Sequence, residues 1–354
     1  MAGFTSIPVV DLQRWTSSTN ETERTAFADE LVEICHRVGF LLLVGHGVPE
    51  RFEQRLFQNL ARFFALPEET KSLIDKRNSR EFRGWERVGA ELTNNQVDYR
   101  EQIDMSTAHP RYPTDCEPVY LRLDGPNQWF GDSILPGHRA IAEGFMTTMH
   151  ALADTVMSVI SRGLGLADDH LHIVFGERPM SLAKFIRYPA TPEGGCGVNA
   201  HHDAGFLTIL LQHHVGGLQA LNPDGDWIDV PPTPGAFVIN LGEMLQEMSG
   251  NYIVATTHRV ITAQERLSAA YFHGPDLRTS LDPLPLERRF VEAVRSSPRH
   301  ASAGFMAKRN ELLKGADETT STGAGVYGQQ LWNYYARSYP ENMAIRHGDI
   351  VRDL

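Results

Sequence analysis

The second half of the chain contains a series of short β-type segments, and this series limits the possible folds more than any other feature. After about residue 180 the runs LAKFIRY, FLTILLQ, GLQAL, AFVINL, HRVI and LSAAYFH follow one another. Turn-forming segments such as NPDGDW and PPTPG separate them. A parallel sheet would need long crossover connections, usually helices, between its strands. The pattern therefore predicts a double-sheet jelly roll.

Helical segments flank this β-rich region on both sides. Apolar residues recur at helical spacing in residues 22–38, and Gly39 follows them, where a glycine commonly ends a helix. The other expected elements are strands at 7–12 and 40–44, helices at 50–64, from 66 onward and at 136–164, and helical texture at 285–345. A Gly/Thr/Ser-rich stretch at 315–326 suggests a loop or lid.

The expected fold class is α+β with a mainly β core, a jelly roll flanked by helices. Residues 1–120 form a helical and strand region in this interpretation. Residues 121–354 form the jelly-roll core with a C-terminal helical cap, and the two parts make one compact unit. No internal repeat or low-complexity tract contradicts this division.

Charge and hydropathy narrow the function classes. The chain has 33 Lys and Arg against 44 Asp and Glu, a net charge of −11, so it lacks the basic footprint of a nucleic-acid-binding protein. No apolar run approaches the roughly 18–20 residues of a membrane helix, and the first residues do not have the pattern of a signal peptide. We expect a cytoplasmic protein with a small-molecule partner, and the sequence leaves the oligomeric state open.

Cysteine usage points away from two kinds of site. The three cysteines, Cys35, Cys116 and Cys196, are far apart and odd in number, so a disulfide framework is not expected. The sequence has no CxxC motif, which argues against a thiolate zinc site.

The segment GVNAHHDAGF contains a metal-binding pattern. His201 and Asp203 are two residues apart before a predicted strand, and residues i and i+2 of an extended chain point to the same side. His258, at the start of another predicted strand, supplies a third candidate ligand. Two imidazoles and one carboxylate on one face, with open positions opposite, are typical of non-haem iron(II) oxygenases.

An HxD pair alone is weak evidence in a chain with 15 histidines. His202, His213, His214 and His273 are competing candidates for metal binding, and histidines on strands more often have structural roles. Two further residues strengthen the interpretation. Arg266 and Ser268 follow His258 by eight and ten residues, again at i, i+2 spacing, and a guanidinium with a hydroxyl can hold the distal carboxylate of a 2-oxo acid.

With these residues in place, the chain resembles the isopenicillin N synthase-like family of iron- and 2-oxoglutarate-dependent dioxygenases over roughly residues 7–345. The resemblance rests on ordered landmarks, which are IPVVDL, GFLLLVGHGVP, FFALPEETK, RGWERVGAE, GPNQW, FIRYP, HHDAGFLTILLQ, VGGLQ, PGAFVINLGEMLQ, HRV and RLSAAYF. It implies a distorted double-stranded β-helix that uses Fe(II), 2-oxoglutarate and O2. It also implies that His201, Asp203 and His258 bind the iron.

The resemblance further implies roles around the cosubstrate and the substrate. Arg266, Ser268 and Tyr188 of FIRYP would bind 2-oxoglutarate. The pair His213 and His214 is interpreted as part of a hairpin turn rather than as metal ligands.

Within this family the chain resembles the bacterial branch that includes the ethylene-forming enzyme. Candidate substrate contacts are Glu91 and Thr93 of GAELTNN, Lys184, Phe272 and Arg337 of YYARSYPEN. Ala204 departs from that enzyme, which has a tyrosine there, so ethylene formation is not the default expectation. Glu91 and Arg337 could equally be structural ion-pair partners.

The expected activity is oxidation of a small polar, amino-acid-like molecule by hydroxylation, desaturation or cyclisation, with release of succinate and CO2. Three alternatives stay open at this point. They are a 2-oxoglutarate-independent oxidase of the same family, a zinc-dependent or cupin-type enzyme with the same ligands, and a non-catalytic binding or sensor module.

Overall fold

The computed structural model describes residues 3–93, 96–191, 195–297 and 325–351. Residues 315–324, which hold most of the predicted loop or lid, lie outside this part of the chain. None of the helices within these ranges has both the length and the apolar character needed to span a bilayer.

The helices lie mostly at the two ends of the chain, and one long helix precedes the β-rich region. They are α1 (Gln13–Thr16), α2 (Glu21–Arg37), α3 (Glu50–Phe64), α4 (Glu68–Lys71), α5 (His138–Gly163), α6 (His170–Phe175), α7 (Glu243–Met248), α8 (Arg288–Arg295), α9 (Tyr327–Ser338), α10 (Pro340–Arg346) and α11 (Gly348–Val351).

The strands are short, as the turn-rich sequence predicts. They are β1 (Val9–Asp11), β2 (Phe40–Val44), β3 (Gly84–Glu86), β4 (Leu92–Thr93), β5 (Gln96–Val97), β6 (Glu101–Ser106), β7 (Leu182–Tyr188), β8 (Cys196–His201), β9 (Leu207–Gln212), β10 (Leu218–Leu221), β11 (Trp227–Asp229), β12 (Phe237–Leu241), β13 (His258–Ile261) and β14 (Arg266–His273).

Two sheets form the core. The larger has eight strands in the order β1-β2-β12-β9-β14-β7-β6-β3, and the smaller has four in the order β11-β10-β13-β8. Apart from the parallel pair β1–β2, the pairings in these sheets are antiparallel. This arrangement confirms the predicted jelly roll with flanking helices.

Alternating residues of the large sheet enter two different cores. Phe40 and Leu42 of β2 pack in a cluster with residues of the small sheet, including Leu218. Leu41 and Leu43 pack instead with the helices. This follows from the two-residue period of a strand, and it explains why FLLLV is apolar throughout. The large sheet therefore has an inner face toward the small sheet and an outer face toward the helices.

Helices α2 and α5 pack closely on the outer side. A Cβ atom on Gly163 at the end of α5 would lie 2.4 Å from the carbonyl oxygen of Ala28 in α2. Only glycine permits this approach. Gly39 fulfils the predicted role after α2, with φ +66 and no room for a side chain beside the Val254 carbonyl.

The sequence located the jelly-roll strands better than the strands before them. β3 and β6 join the large sheet, although their sequences did not suggest strands. β6 is EQIDMS, and all six residues are buried. Charged residues interrupt the apolar pattern of this strand, because their side chains are buried in ion pairs instead of apolar contacts. The predicted third helix is only four residues long and continues as a 3-10 turn, Ser72–Ile74.

Candidate metal centre

Two histidines occupy opposed positions in the small sheet. His201 ends β8, His258 begins β13, and the two are paired directly in the antiparallel register. Their ring centroids are 4.3 Å apart. Asp203 follows β8 by two residues, and its Oδ1 lies 3.6 Å from Nε2 of His201 and 3.7 Å from Nε2 of His258. The three side chains thus place one ligand atom each within 4.8 Å of one another.

Hydrogen bonds orient both imidazoles. Nδ1 of His201 lies 2.7 Å from the carbonyl oxygen of Asn199, and Nδ1 of His258 lies 3.1 Å from that of Thr256. A carbonyl oxygen only accepts, so each Nδ1 carries a proton, which leaves Nε2 as the nitrogen that can bind a metal. This is the orientation that metal-bound histidines usually have.

The Asp203 carboxylate is held from its other side. Its Oδ2 accepts hydrogen bonds from Oγ1 of Thr208 at 2.5 Å and from Nδ2 of Asn240 at 2.6 Å. Burial opposes its ionisation, but the imidazoles of His258 and His201 and the Thr208 hydroxyl outweigh burial and hold the pKa of Asp203 well below its usual range. Oδ1 is therefore an anionic oxygen facing the two histidines.

The pKa values of the two histidines differ because their surroundings differ. Burial, together with the neighbouring His201, lowers the pKa of His258 to about 4. Burial also acts on His201, but the contact with Asp203 outweighs it and raises the pKa of His201 above its ordinary value. His258 is neutral near pH 7, which is the form that binds a metal.

A longer chain of contacts supports His201. Asn199, whose carbonyl orients His201, donates from its backbone N–H and its Nδ2 to Oδ1 of Asp98, at 3.1 and 3.0 Å. Oδ2 of Asp98 accepts from Thr93 at 2.6 Å and pairs with Arg100 at 3.1 Å. The predicted residue Thr93 is thus connected to the metal-binding strand through Asp98.

Arg266 is a buried cation that faces neutral groups. Its side chain donates to Oγ of Ser268 at 3.2 Å and to Oε1 of Gln212 at 3.0 Å. The guanidinium lies 4.8 Å from the ring centre of Tyr188, its partner across β7 and β14. Within the described residues no carboxylate pairs with it, and its buried Nε has no hydrogen-bond partner. Burial lowers the pKa of Arg266. An anionic ligand would therefore offset the free-energy cost of keeping this charge away from water.

These observations test whether the residues fit the cofactors of an iron oxygenase. Two imidazole nitrogens and one carboxylate oxygen are a donor set that suits Fe(II). A buried guanidinium with an adjacent hydroxyl suits a carboxylate of a 2-oxo acid. The residues fit both groups.

The predicted substrate residues Lys184 and Glu91 contact each other. Nζ of Lys184 lies 2.9 and 3.0 Å from the two Glu91 oxygens and donates to the Tyr339 hydroxyl at 3.0 Å. Glu91 also accepts from Arg100 and Gln102, both at 2.7 Å, and from Tyr334 at 2.8 Å. Burial opposes its ionisation, but Arg100 and Lys184 keep the pKa of Glu91 well below its usual value.

The last two predicted substrate residues are placed differently. Phe272 is partly exposed and, by strand alternation, shares the inner face of β14 with Arg266 and Ser268. Arg337 is exposed on α9, and its Nε donates to the carbonyl oxygen of Asn333 in the same helix at 3.2 Å. His213 and His214 come directly after β9, where Nδ1 of His214 lies 3.2 Å from Nε2 of His213.

Sequence reasoning missed the residues that support the ligands. They are Asp98, Asn199, Thr208, Gln212 and Asn240. Asn240 gave the clearest signal, since it is a polar residue inside the otherwise apolar strand FVINL. Its hydrogen bond to Asp203 explains why a polar residue stands there.

Comparison with known families covers both parts of the chain. Residues 7–132 match the family model described as non-haem dioxygenase in morphine synthesis N-terminal. Residues 178–275 match the 2OG-Fe(II) oxygenase superfamily.

Curated relatives agree with these matches. The 2-oxoglutarate-dependent dioxygenase frbJ of Dothideomycetidae sp. is 36% identical over 281 residues, which cover 77% of this chain and 74% of the relative. The homoarginine-6-hydroxylase 2-ODD-C23 of Glycine max is 30% identical over 304 residues, which cover 79% of this chain and 89% of the relative.

The fold agrees with solved structures as well. A 2OG-Fe(II) oxygenase family protein of Caulobacter crescentus superposes with a TM-score of 0.71 at 21% identity, covering 94% of this chain and 99% of that one.

Proposed function

The chain belongs to the iron(II)- and 2-oxoglutarate-dependent dioxygenases, and we propose that it hydroxylates a small polar, amino-acid-like molecule with His201, Asp203 and His258 as its iron ligands. Members of this family couple oxidation of a substrate by O2 to conversion of 2-oxoglutarate into succinate and CO2. The observation that carries the residue assignment is the buried Arg266 guanidinium, which pairs with no carboxylate among the described residues, in a fold that also holds a cluster of two imidazoles and one carboxylate. The bacterial branch near the ethylene-forming enzyme stays a prediction.

The roles of the metal-binding residues follow from their contacts. Iron(II) bound at this site supplies the activation of O2, which no side chain can perform. His201 and His258 bind through Nε2, since their Nδ1 protons are engaged by backbone carbonyls. Thr208 and Asn240 keep Oδ2 of Asp203 occupied, so Oδ1 is the oxygen offered to the metal.

Arg266 and Ser268 orient the cosubstrate in this proposal. The guanidinium and the hydroxyl bind the distal carboxylate of 2-oxoglutarate, and Tyr188 contributes from the neighbouring strand. Gln212 and Ser268 each accept from one terminal guanidinium nitrogen, at 3.0 and 3.2 Å, which leaves Nε and the remaining N–H groups for the ligand.

The proposed substrate class rests on the polar inner face of the large sheet. Lys184 is four residues from Tyr188 on β7 and shares its side of the strand. Around it lie Gln102, Asp104 and Glu91, so this face carries both signs of charge close to the cosubstrate residues. Such a surface suits a zwitterionic molecule with an amine or guanidine. The Glycine max relative is named a homoarginine hydroxylase, which supports the same class.

Succinate formation tests the function. Protein loaded anaerobically with iron is given 2-oxoglutarate, O2 and a panel of amino acids that begins with arginine, homoarginine and lysine. We expect one of them to increase succinate release and to yield a product heavier by one oxygen atom. Asp203→Ala should abolish both succinate release and product formation. Asp132→Ala, at an exposed residue, is the control and should leave both unchanged. Product without succinate would identify a 2-oxoglutarate-independent oxidase, and ethylene in the headspace would identify the ethylene-forming reaction.

The remaining expectations concern partners and location. The proposed partner is a small molecule rather than a nucleic acid, since the net charge is −11. A cytoplasmic location also stays a prediction, which fractionation of cells that make the protein would test.

A further inference from the structure

A second cluster of metal-binding side chains lies on the outer face of the large sheet. It consists of His150 and Asp154 on α5 and His273 at the end of β14, with one ligand atom from each within 4.8 Å of the others. His273 has the opposite strand parity to Arg266 and Ser268, so it points away from the iron-binding side of the sheet. We propose that these three side chains bind a zinc ion and that His172 on α6 supports the Asp154 carboxylate beside it.

The spacing of the donor atoms matches zinc. Nε2 of His150 lies 3.4 Å from Oδ2 of Asp154, and Nε2 of His273 lies 3.3 Å from Oδ1. Nδ1 of His172 is 3.7 Å from the same Oδ1. Donor atoms around a tetrahedral zinc with bonds of about 2.0–2.1 Å are about 3.3–3.4 Å apart. Nε2 of His150 and Nε2 of His273 are thus each at this spacing from an Asp154 oxygen, although from different oxygens of the carboxylate.

Hydrogen-bond contacts beneath the cluster orient two imidazoles. The Tyr271 hydroxyl donates to Oγ of Ser181 at 2.9 Å, and burial raises the pKa of Tyr271, so the hydroxyl keeps its proton. The same hydroxyl oxygen lies 3.1 Å from Nδ1 of His150 and 3.3 Å from Nδ1 of His273. With both Nδ1–H groups donating to Tyr271, the Nε2 lone pairs face Asp154.

Ser158 orients the third imidazole in the same way. Its hydroxyl donates to the backbone carbonyl of Asp154 at 3.1 Å, so its oxygen accepts from Nε2–H of His172 at 2.9 Å. The Nδ1 lone pair of His172 then also points toward Asp154. The Nε2 lone pairs of His150 and His273 would repel the carboxylate unless each imidazole takes up a second proton or a cation lies between them. A divalent cation accommodates both imidazoles, and two imidazoles with one carboxylate are a donor set that binds zinc.

The location explains what the ion would do. His150, Asp154 and His172 are partly exposed, with 34–40% of each side chain accessible, so an ion can enter from solvent. Three protein ligands hold the ion, and its remaining position faces the partly exposed side of the cluster. The ion would join α5 to the end of β14.

Zinc titration tests this proposal. The iron ligands also bind zinc. The titration therefore uses the Asp203→Ala variant, which removes a ligand of the iron site and leaves the new site intact. We expect one zinc ion per chain there and a higher midpoint of thermal unfolding with zinc than with chelator. Substitution with Co(II) should give the visible ligand-field bands of a tetrahedral site.

Two changes separate the new site from adventitious binding. Asp154→Asn and His150→Ala alter partly exposed side chains, and each should weaken zinc binding by more than about 100-fold, since loss of a supporting residue alone costs about 10- to 100-fold. The matched control is His170→Ala on α6, which should bind zinc as its parent does. Failure of Asp203→Ala to bind zinc would overturn the proposal. Equal zinc affinity with and without Asp154→Asn would overturn it as well.

Discussion

His201 and His258 are direct partners in the antiparallel pair β8–β13, and their ring centroids are 4.3 Å apart. Both Nε2 atoms lie within 3.7 Å of one Asp203 oxygen. Strand register, rather than a flexible loop, thus sets the separation of the two imidazoles. A site built on paired strands is held more accurately than one built on loops, which fits the narrow geometric demands of a metal centre.

The hydrogen bond from Asn240 to Asp203 should tune iron affinity. We expect Asn240→Ala to lower the affinity for Fe(II) about 10- to 100-fold, because an unsupported carboxylate is free to turn away from the metal. Anaerobic titration with Fe(II) under chelator competition measures the change. The exposed Asn333→Ala serves as control and should bind iron as the parent does. An affinity within twofold of the parent for Asn240→Ala would show that Thr208 alone holds the carboxylate.

Arg266 should govern the requirement for 2-oxoglutarate. Loss of a charged hydrogen bond costs about 1.5–3 kcal/mol, so Arg266→Ala should raise the KM for 2-oxoglutarate about 10- to 150-fold. Arg266→Lys should recover only part of this loss, because an ammonium cannot make the bidentate contact. Steady-state kinetics at varied 2-oxoglutarate test the prediction, with the exposed Arg288→Ala as control. An unchanged KM would remove Arg266 from the cosubstrate site.

The buried pair Lys184 and Glu91 should contribute strongly to folding. Both residues are less than 10% exposed, so Lys184→Met leaves a buried carboxylate without one of its cations and should cost about 3–5 kcal/mol of unfolding free energy. The surface pair Arg139 and Glu143 is a matched control, since Arg139→Met should cost under about 1 kcal/mol. Urea unfolding measures both. Equal losses would mean that Arg100 and Tyr334 fully compensate for Lys184.

His138 should make stability depend on pH. It is buried, donates from Nδ1 to Asn59 at 2.7 Å, and its Nε2 has no partner among the described residues. Burial lowers the pKa of His138 from 6.5 to about 4, so the unfolded chain binds this proton more readily than the folded one. His138 should therefore cost stability as the pH falls from about 6.5 to 4, by about 3 kcal/mol in total.

Urea unfolding at pH 7 and pH 5 tests the His138 prediction. The loss of stability between these two pH values should be smaller in His138→Leu than in the parent protein. The exposed His214→Leu should lose as much as the parent. A pH dependence that does not change in His138→Leu would contradict the assignment.

The sequence was sufficient for the apolar strands and for the residues that carry chemistry. The jelly-roll strands could be predicted because their apolar runs are separated by turn residues. Strand β6 could not, because Glu101, Gln102 and Asp104 are buried through ion pairs and hydrogen bonds with residues distant in sequence. For the same reason the sequence suggested that Glu91 and Lys184 face the substrate, but not that they bind each other.

Anaerobic binding of 2-oxoglutarate to the iron-loaded protein tests the central claim most directly. The account predicts that the parent protein binds one Fe(II) and then one 2-oxoglutarate, with the visible charge-transfer absorption of a chelated 2-oxo acid. Asp203→Ala should show no such absorption, and Arg266→Ala should show it only at much higher 2-oxoglutarate concentration. The same absorption at the same concentration in all three proteins would contradict the assignment of this site.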